Sequence, residues 1–371
     1  MNDAPPQPVK LALSAEQLQQ DFMRVTMDRI ADPLWQYALV VRKNVTKLRP
    51  NEGLEAPSAE RPVRSLGLLY REDAEADFEV YGAALRFEVD PASWLEEWLR
   101  FNGLTPGSML RWPLPGGVSG DAVAEWTVEG RRFAGRFATI KSGARLFVAC
   151  CRAPRADYDR IAEDFFLLLS QFKLVQSDPT PLSEPLRVAT GLGPVPWKLC
   201  VPASWQVLSV ENQGPGGTIQ AAAGPPRASE AAAVAATTPF PGLPGREPIS
   251  WFPATWNAQL SATLAPSSTL GGWDEATSFC TATLRDAGVE LEEKAFEEEP
   301  PLGPFEESRG LVSAATVRGE PGAEARCRVA RVGPVWLLSA GVGVARAVNP
   351  HAWMRNARAH DVIAQTVELE L

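Results

Sequence analysis

The sequence has few of the residues from which metal and redox sites are built. Its 371 residues include two histidines and five cysteines, and neither a Cys-x-x-Cys nor a His-Glu-x-x-His spacing occurs. The cysteines stand at positions 150, 151, 200, 280 and 327, an odd and scattered set that is typical of a reducing compartment. We therefore expect no metal site and no cofactor.

Long apolar runs and a basic N-terminus are absent too. The longest apolar stretches, 165–169 and 335–345, fall well short of the roughly 20 residues that a membrane-spanning helix needs. The first eight residues carry Asp3 and three prolines in place of the basic segment and apolar core of an export signal. We expect a cytoplasmic protein with no integral membrane segment.

Positive charge is in deficit. Lys and Arg number 36 against 45 Asp and Glu, and the formal net charge of −9 argues against a nucleic-acid partner because it repels phosphate backbones. Hydrophobic residues make up 45% of the chain, which is enough to build a globular core. At roughly 100 to 200 residues per domain, a chain of 371 residues predicts about two domains.

The usual catalytic motifs are missing. No Gly-Lys-Ser or Gly-Lys-Thr occurs, and the run that begins at Gly341 has Arg346 where a dinucleotide-binding fingerprint needs its third glycine. The segment 117–121 ends in Asp and so lacks the closing glycine of a nucleophile elbow. His351 and His360 share a predicted helix and are interpreted as core or boundary histidines. We predict no catalytic residue.

Helix signals occur at five places. A capping box at Ser14 and Gln17 begins a helical pattern that continues to Asp32. Four further helices are predicted to begin at Asp90-Pro91, Pro154, Trp273 and Asn349-Pro350. Most other segments are strand-like, the segment 113–120 is predicted as a turn, and the acidic run 290–299 is interpreted as a solvated or edge-protecting strand and loop.

A change in composition divides the chain. Residues 176–196 are rich in Pro, Ser, Thr and Gly and have no periodicity, which predicts a linker between a first domain, 1–175, and a second domain, 197–371. The second domain also carries a Pro/Gly/Ala-rich insertion at 225–248 without a core signal.

The two halves repeat one order of elements: strands, a helix that contains or begins with Trp, further strands, a long helix and a short apolar tail. Trp94 corresponds to Trp273 in this alignment, and Phe147 corresponds to Trp336. We predict an α+β protein with two tandem antiparallel-sheet domains. An intrachain pseudo-dimer is one arrangement that such a repeat allows.

Three features resemble a known superfamily: the turn Pro202-Ala203-Ser204-Trp205 after a strand, the late pair of strands and the long last helix. Together they are similar to the PsbP-like proteins, which include the Eag-type chaperones of type VI secretion. The resemblance implies α/β/α sandwich domains that bind proteins and do not catalyse a reaction. It also implies a cytoplasmic chaperone that holds the apolar segments of a secreted effector.

Twelve tryptophans offer candidate contacts for a partner. Most are expected in the core, since an indole buries a large apolar area, but an exposed Trp is a natural anchor for a protein partner. Our candidates are two pairs, Trp94 with Trp98 and Trp251 with Trp256. The second pair stands beside the insertion.

The leading hypothesis is a non-enzymatic protein-binding module, a chaperone or adaptor of a bacterial secretion system. One alternative is a hydrolase-type enzyme whose site forms only in three dimensions. The other is a structural component of an envelope or secretion assembly.

Overall fold

The computed structural model describes residues 13–28, 30–47, 56–58, 62–114, 117–180, 182–191, 196–211, 217–223 and 258–369. Contacts between residues divide the chain into two compact units, and the first passes into the second between Ser183 and Glu184. Each unit is built on antiparallel sheets with helices packed against them.

The first unit contains a seven-stranded sheet and a three-stranded sheet. Its helices are α1 (Ala15–Asp21), α2 (Pro91–Phe101) and α3 (Arg155–Ser170). Its strands are β1 (Phe22–Met27), β2 (Tyr37–Arg42), β3 (Thr46–Lys47), β4 (Val63–Arg71), β5 (Ala76–Ala84), β6 (Pro106–Leu114), β7 (Gly117–Val128), β8 (Arg131–Ser142), β9 (Arg145–Pro154) and β10 (Lys173–Leu174). The strand orders are β3-β4-β5-β9-β8-β7-β6 and β1-β2-β10.

The seven-stranded sheet has a helix on each face. Phe78 of β5 contacts Phe165 of α3, with ring centroids 5.4 Å apart. Tyr81, three residues further along the same strand, points to the opposite face and contacts Trp98 of α2 at 5.3 Å. Tyr37 of β2 belongs to the same buried cluster as Phe165, so the small sheet packs on the α3 side. The first unit is therefore an α/β/α sandwich.

The second unit has the same two kinds of sheet. Its helices are α4 (Trp273–Asp286) and α5 (Pro350–Gln365). Its strands are β11 (Leu186–Gly191), β12 (Trp197–Pro202), β13 (Gln206–Glu211), β14 (Gly217–Ala223), β15 (Ala258–Pro266), β16 (Val289–Leu291), β17 (Glu297–Glu298), β18 (Glu307–Val317), β19 (Glu320–Val332), β20 (Val335–Val344) and β21 (Glu368–Leu369). On β20, Trp336 contacts Trp273 of α4, and Ser339, on the opposite face, contacts His360 of α5.

Both units follow one topology. The large sheet of the second unit runs β13-β14-β15-β20-β19-β18-β16, which matches the order of the first sheet strand for strand, and β17 adds to β18. The helices α4 and α5 follow β15 and β20 as α2 and α3 follow β5 and β9. After the last helix of each unit, β10 or β21 returns to the small sheet. The predicted α+β class and the tandem antiparallel sheets are confirmed.

Local capping chemistry explains where several helices begin. Ser14 and Gln17 form the predicted reciprocal capping box at α1. The Asp90 side chain accepts from the Ser93 amide at α2, and the Asn349 side chain accepts from the Ala352 amide at α5. These helix starts are confirmed.

The first predicted helix is too long. It ends at Asp21, and Phe22–Met27 forms β1 where the prediction continued the helix to Asp32. The reason is pairing, because every residue of β1 has an antiparallel partner in β2 from Phe22/Arg42 to Met27/Tyr37. The hydrogen bonds between β1 and β2 stabilise the strand more than the short helical pattern of Leu18, Phe22 and Val25 would stabilise a helix.

Two further segments differ from their predictions. Strand β6 (Pro106–Leu114) is absent from the sequence prediction, and most of the predicted turn 113–120 belongs to the β6–β7 hairpin. Part of the predicted linker 176–196 is β11, because Leu186–Gly191 pairs along its whole length with β12. The insertion 225–248 lies outside the described residues.

Gly217, the first residue of β14, lies against the indole of Trp197. A Cβ atom at position 217 would clash with Nε1 and lie 2.7 Å from Cε2 and Cζ2 of that rigid, buried ring. We expect Gly217→Ala to lower the free energy of unfolding by about 1 to 3 kcal/mol, the usual cost of overpacking. Gly107→Ala is the control, since its Cβ would meet only the Val123 carbonyl at 3.7 Å. Urea unfolding of both variants measures the difference, and equal stabilities would contradict the account.

Candidate protein-binding surface

Two large apolar side chains stand out from the free edge of the first unit's main sheet. Leu110 and Trp112 of β6 are 44% and 50% exposed. Within the residues that the structure describes, β6 pairs with β7 on one side and with no strand on the other. Exposed apolar side chains on an open edge strand are what proteins usually avoid, because such an edge recruits another chain.

The alternation of β6 fixes the side on which these residues lie. Arg111 faces α2, since its guanidinium donates to the Asp90 carboxylate at 2.8 Å. Gly120, the partner of Arg111 on β7, leaves room for Ala92 of α2, whose Cα would be 2.8 Å from a Cβ at position 120. Leu110 and Trp112 alternate with Arg111 and therefore point to the α3 face of the sheet.

Helix α3 covers only the middle of that face. It packs on β8 and β9, and β6 lies beyond β7 at the edge of the sheet. Next to Leu110, the Asp121 carboxylate accepts from the Arg136 guanidinium at 2.9 Å, and Arg136 lies over the Phe166 ring of α3 at 5.8 Å. The ion pair is internally neutral. The exposed strip is therefore apolar, and a paired charge separates it from the helix.

The first predicted tryptophan pair lies in the interior. Trp94 is 9% and Trp98 4% exposed, and their rings stack with centroids 5.9 Å apart. Trp98 also packs on Tyr81. The pair forms the apolar face of α2 and is not an accessible surface, and its role as a partner anchor stays an untested prediction.

The second predicted tryptophan pair has no place in the described structure. Trp251 and Trp256 both lie between Ala223 and Ala258, outside the described residues. Both stay untested predictions, and the candidate surface is built on Trp112 instead.

A weak sequence signal for the β6 surface exists. Residues 108–112 read Ser-Met-Leu-Arg-Trp, where Met109 and Arg111 take one face of a strand and Leu110 and Trp112 take the other. Two prolines and a glycine around the segment obscure this short alternation, so Trp112 looks like one more aromatic beside a turn. The edge position that makes it accessible depends on the sheet order.

The two histidines are buried in α5, as predicted. Burial lowers the pKa of both His351 and His360 to about 3, with a further contribution from Arg355 near His351 and from Arg326 and Arg328 near His360. Both imidazoles are thus neutral near pH 7.

The buried serine beside His360 does not form an accessible catalytic site. The Ser339 Oγ lies 3.0 Å from His360 Nδ1, but Ser339 is fully buried and has no open side for a substrate. Gly341 admits the imidazole, because a Cβ there would lie 2.7 Å from His360 Nε2. This end of β20 therefore requires a glycine at position 341.

The acidic run keeps an edge of the second sheet charged. Glu297–Glu298 forms β17 on the outer side of β18, as the edge-protecting interpretation expects. Glu299 turns inward over Gly310, and its carboxylate accepts from the Arg328 guanidinium at 3.0 Å. Within the described ranges no three His, Cys, Asp or Glu side chains form a group that can hold a metal ion.

The five cysteines are all buried free thiols. Cys151 lies in the core cluster under α3, and its neighbour Cys150 points to the other face of β9. Burial raises the pKa of both thiols well above the ordinary value. Neutral, enclosed thiols are poor nucleophiles and poor metal ligands.

Among the described helices, none combines the length and the apolar composition that a membrane-spanning helix needs.

Comparison with known proteins finds no sequence family. No protein-family model matches the chain, and no curated protein matches it. Solved structures give distant similarity only. The solution structure of the cyanobacterial PsbP protein CyanoP from Synechocystis sp. PCC 6803 aligns with 46% of this chain and 98% of its own length, at 10% identity and a TM-score of 0.30.

Two other proteins show similarity at the same level. A crystal structure from Bacteroides thetaiotaomicron VPI-5482 aligns with 46% of this chain at 12% identity and a TM-score of 0.26, and the alignment spans only 52% of that protein. The immunity protein TplEi of the type VI secretion system from Pseudomonas aeruginosa aligns with 90% of this chain and 94% of its own length, at 11% identity and a TM-score of 0.19. It has also been solved in complex with a peptide named "L". The chain is thus distantly similar to PsbP and to this immunity protein, and the finer resemblance to Eag-type chaperones stays a prediction.

Proposed function

We propose that the chain is a non-enzymatic, cytoplasmic protein-binding module that holds an extended segment of a partner protein along β6. The observation that carries the proposal is the half-exposed Trp112, with Leu110 beside it, on a strand whose outer side has no partner in the described structure. Strand addition supplies main-chain hydrogen bonds, and pockets for alternate side chains supply specificity.

The length of the free edge sets the length of the bound segment. Pro106 and Pro113 bound a window of Gly107–Trp112, because proline has no N–H to donate. A segment of about six residues fits this window, with apolar side chains at alternate positions against Leu110 and Trp112. Tryptophan is among the residues that most often dominate the energy of an interface.

The proposed occupant of the β6 edge is a segment of a different protein and not a second copy of this chain. The strip beside the window carries no net charge, since Asp121 and Arg136 neutralise each other, so it presents no unpaired charge to an apolar segment. In the cell such a module acts as a chaperone or adaptor, and an effector or component of a bacterial secretion system is the client that the proposal names. The missing catalytic motifs and the enclosed Ser339 support a role without catalysis.

Site-specific photo-crosslinking tests the proposal. A photoreactive p-benzoylphenylalanine replaces Trp112 in one variant and Phe279, an aromatic residue of α4 that is 41% exposed, in the control. We expect the first variant to crosslink one protein through an extended apolar segment and the control to leave that protein uncaptured.

The purified partner then gives the affinity. We expect Trp112→Ser to weaken binding at least about tenfold, or about 1.4 kcal/mol, and Phe279→Ser to leave it unchanged. Equal affinities of the wild-type chain and the Trp112→Ser variant would overturn the proposal. So would a crosslink to a second copy of the chain, matched by a dimer in sedimentation that the variant abolishes.

A further inference from the structure

The edge of the second unit's main sheet is built differently from the edge that carries Trp112. In the shared strand order, β16 takes the place of β6, and β18 takes the place of β7. From Ser108 to Leu114, β6 pairs with β7 residue by residue. By contrast, the pairing of β16 with β18 covers Val289–Leu291, and the described chain from 292 to 296 has no regular structure before β17 begins. The second edge is therefore interrupted at its centre.

A side chain replaces a main-chain amide in the interrupted part of this edge. The Val312 carbonyl of β18 accepts from the Lys294 ammonium at 3.2 Å, where a regular neighbouring strand would donate an amide N–H. Glu292 is still held against the sheet, since its amide donates to the Ala314 carbonyl at 3.2 Å. The segment 292–296 is thus fixed to β18 without offering the regular row of outward amides and carbonyls that an added strand pairs with.

The apolar side chains of the second edge point inward. Val289 is 2% exposed, and Leu291 and Phe296 pack against the apolar cluster beneath α4. On β6 the arrangement is the reverse, because Leu110 and Trp112 are about half exposed. Residues 289–298, all of which the structure describes, therefore present no large apolar side chain as exposed as these two.

Carboxylates take the exposed positions of the second edge. Against one basic residue in this run, Lys294, the exposed acids are Glu290, Glu292, Glu293, Glu297 and Glu298. Charged side chains on an edge strand oppose the addition of another strand, and an apolar segment that covers a carboxylate removes it from water without supplying an opposite charge. The kind of segment that fits β6 is therefore disfavoured here.

We propose that the chain binds one partner segment, along β6 of the first unit, and that residues 289–298 close the corresponding edge of the second unit. The inference rests on the proposed function, because it concerns the same kind of extended apolar segment. Two determinants act together: the interrupted ladder removes the main-chain template, and the outward carboxylates oppose an apolar segment. The tandem repeat is therefore monovalent, and a saturated complex contains one partner segment per chain.

Photo-crosslinking at both edges tests this inference. A third variant carries p-benzoylphenylalanine in place of Glu293, which is exposed in the centre of the interrupted edge. We expect the variant at Trp112 to capture the partner and the variant at Glu293 to leave it uncaptured. Capture at both positions would overturn the inference and leave the proposed function in place. Capture at neither position would overturn the proposed function, and the inference with it.

Counting the partner in the saturated complex gives an independent test. The full chain is mixed with the purified protein that is captured at position 112, and native mass spectrometry should show one partner per chain after correction for the partner's own oligomeric state. Trp112→Ser should weaken this binding at least about tenfold, whereas Glu293→Ser, the matched replacement on the second edge, should leave the count and the affinity unchanged. Two partners per chain, with one remaining in Trp112→Ser, would overturn the inference while still supporting a site on β6.

Discussion

Replacing Asp164 with alanine is expected to lower the free energy of unfolding by about 1.5 to 3 kcal/mol. Asp164 of α3 is 5% exposed, and its carboxylate joins three elements of the first unit. It accepts from Arg42 Nε of β2 at 2.8 and 2.9 Å and from Arg71 Nη1 of β4. Without the carboxylate, Arg42 Nε loses both of its acceptors on α3, and the buried Arg71 guanidinium keeps only its pair with Asp73.

The same helix provides the control for this substitution. Asp159 also pairs with an arginine, Arg155, at 3.0 Å, but its side chain is 70% exposed. We expect Asp159→Ala to change the free energy of unfolding by at most about 0.5 kcal/mol, because exposed pairs of this kind contribute little. Urea unfolding of both variants at pH 7 measures the difference. A loss for Asp164→Ala no larger than for Asp159→Ala would show that the buried network does not hold α3 on the sheet.

Lowering the pH from 7.5 to 5.0 is expected to destabilise the chain by about 4 kcal/mol through its two histidines. Burial holds the pKa of His351 and His360 near 3 in the folded state, against 6.5 when exposed. Below pH 6.5 the two imidazoles are therefore protonated in the unfolded chain but stay neutral in the folded chain. Their contribution to the free energy of unfolding is fully present above pH 6.5 and is lost as the pH falls toward 3. Each imidazole contributes about 2 kcal/mol over the stated interval, from 1.36 kcal/mol per pH unit below 6.5.

Single variants separate the two contributions. His351→Gln and His360→Gln should each remove about half of the pH dependence, measured by urea unfolding at pH 7.5 and 5.0. If either variant fails to fold, the wild-type imidazole resonances decide the matter, because both should keep the chemical shifts of neutral histidine down to pH 5. Titration of both imidazoles with a midpoint near 6.5 would contradict the burial of α5.

Helix starts are well predicted from the sequence because they depend on neighbouring residues. The caps at Ser14, Asp90 and Asn349 use side chains within three residues of the amides that they bind. Strand β1 is different. Its partner β2 lies ten or more residues away, and no local sequence signal between Phe22 and Met27 indicates that the two segments pair. Long-range ladders thus override local periodicity where the periodic signal is short.

The sequence predicts the order of helices and strands that the two halves share, but it does not predict which residue of one half corresponds to which residue of the other. The sequence alignment pairs Phe147 with Trp336, yet Phe147 faces α3 and Trp336 faces α4, on opposite sides of equivalent sheets. Counting from the two-residue hairpin loops at Gly143 and Gly333 pairs Phe147 with Leu337 instead. Both glycines have positive φ, 58° and 48°, which the turns require. A slip of one residue moves a side chain to the other face.

The exposure of the candidate tryptophans also depends on contacts that the local sequence does not indicate. The spacing of Trp94 and Trp98 by one helical turn indicates an apolar stripe, and such a stripe packs inward when a sheet lies beneath it. Trp112 sits in a shorter and less regular segment, and it becomes accessible only because β6 is the last strand of its sheet. Sequence predicts which residues can anchor a partner, but the position of a strand in its sheet decides which of them are exposed.

Hydrogen exchange of the complex tests the central claim most directly. With the crosslinked partner purified, backbone amide exchange is compared between the free chain and the complex. Strand addition predicts new protection at the outward amides of Gly107–Trp112, together with slower exchange in β7, and little change in α4 around Phe279. Unchanged exchange across 107–112 in a saturated complex, with protection elsewhere, would contradict binding along β6.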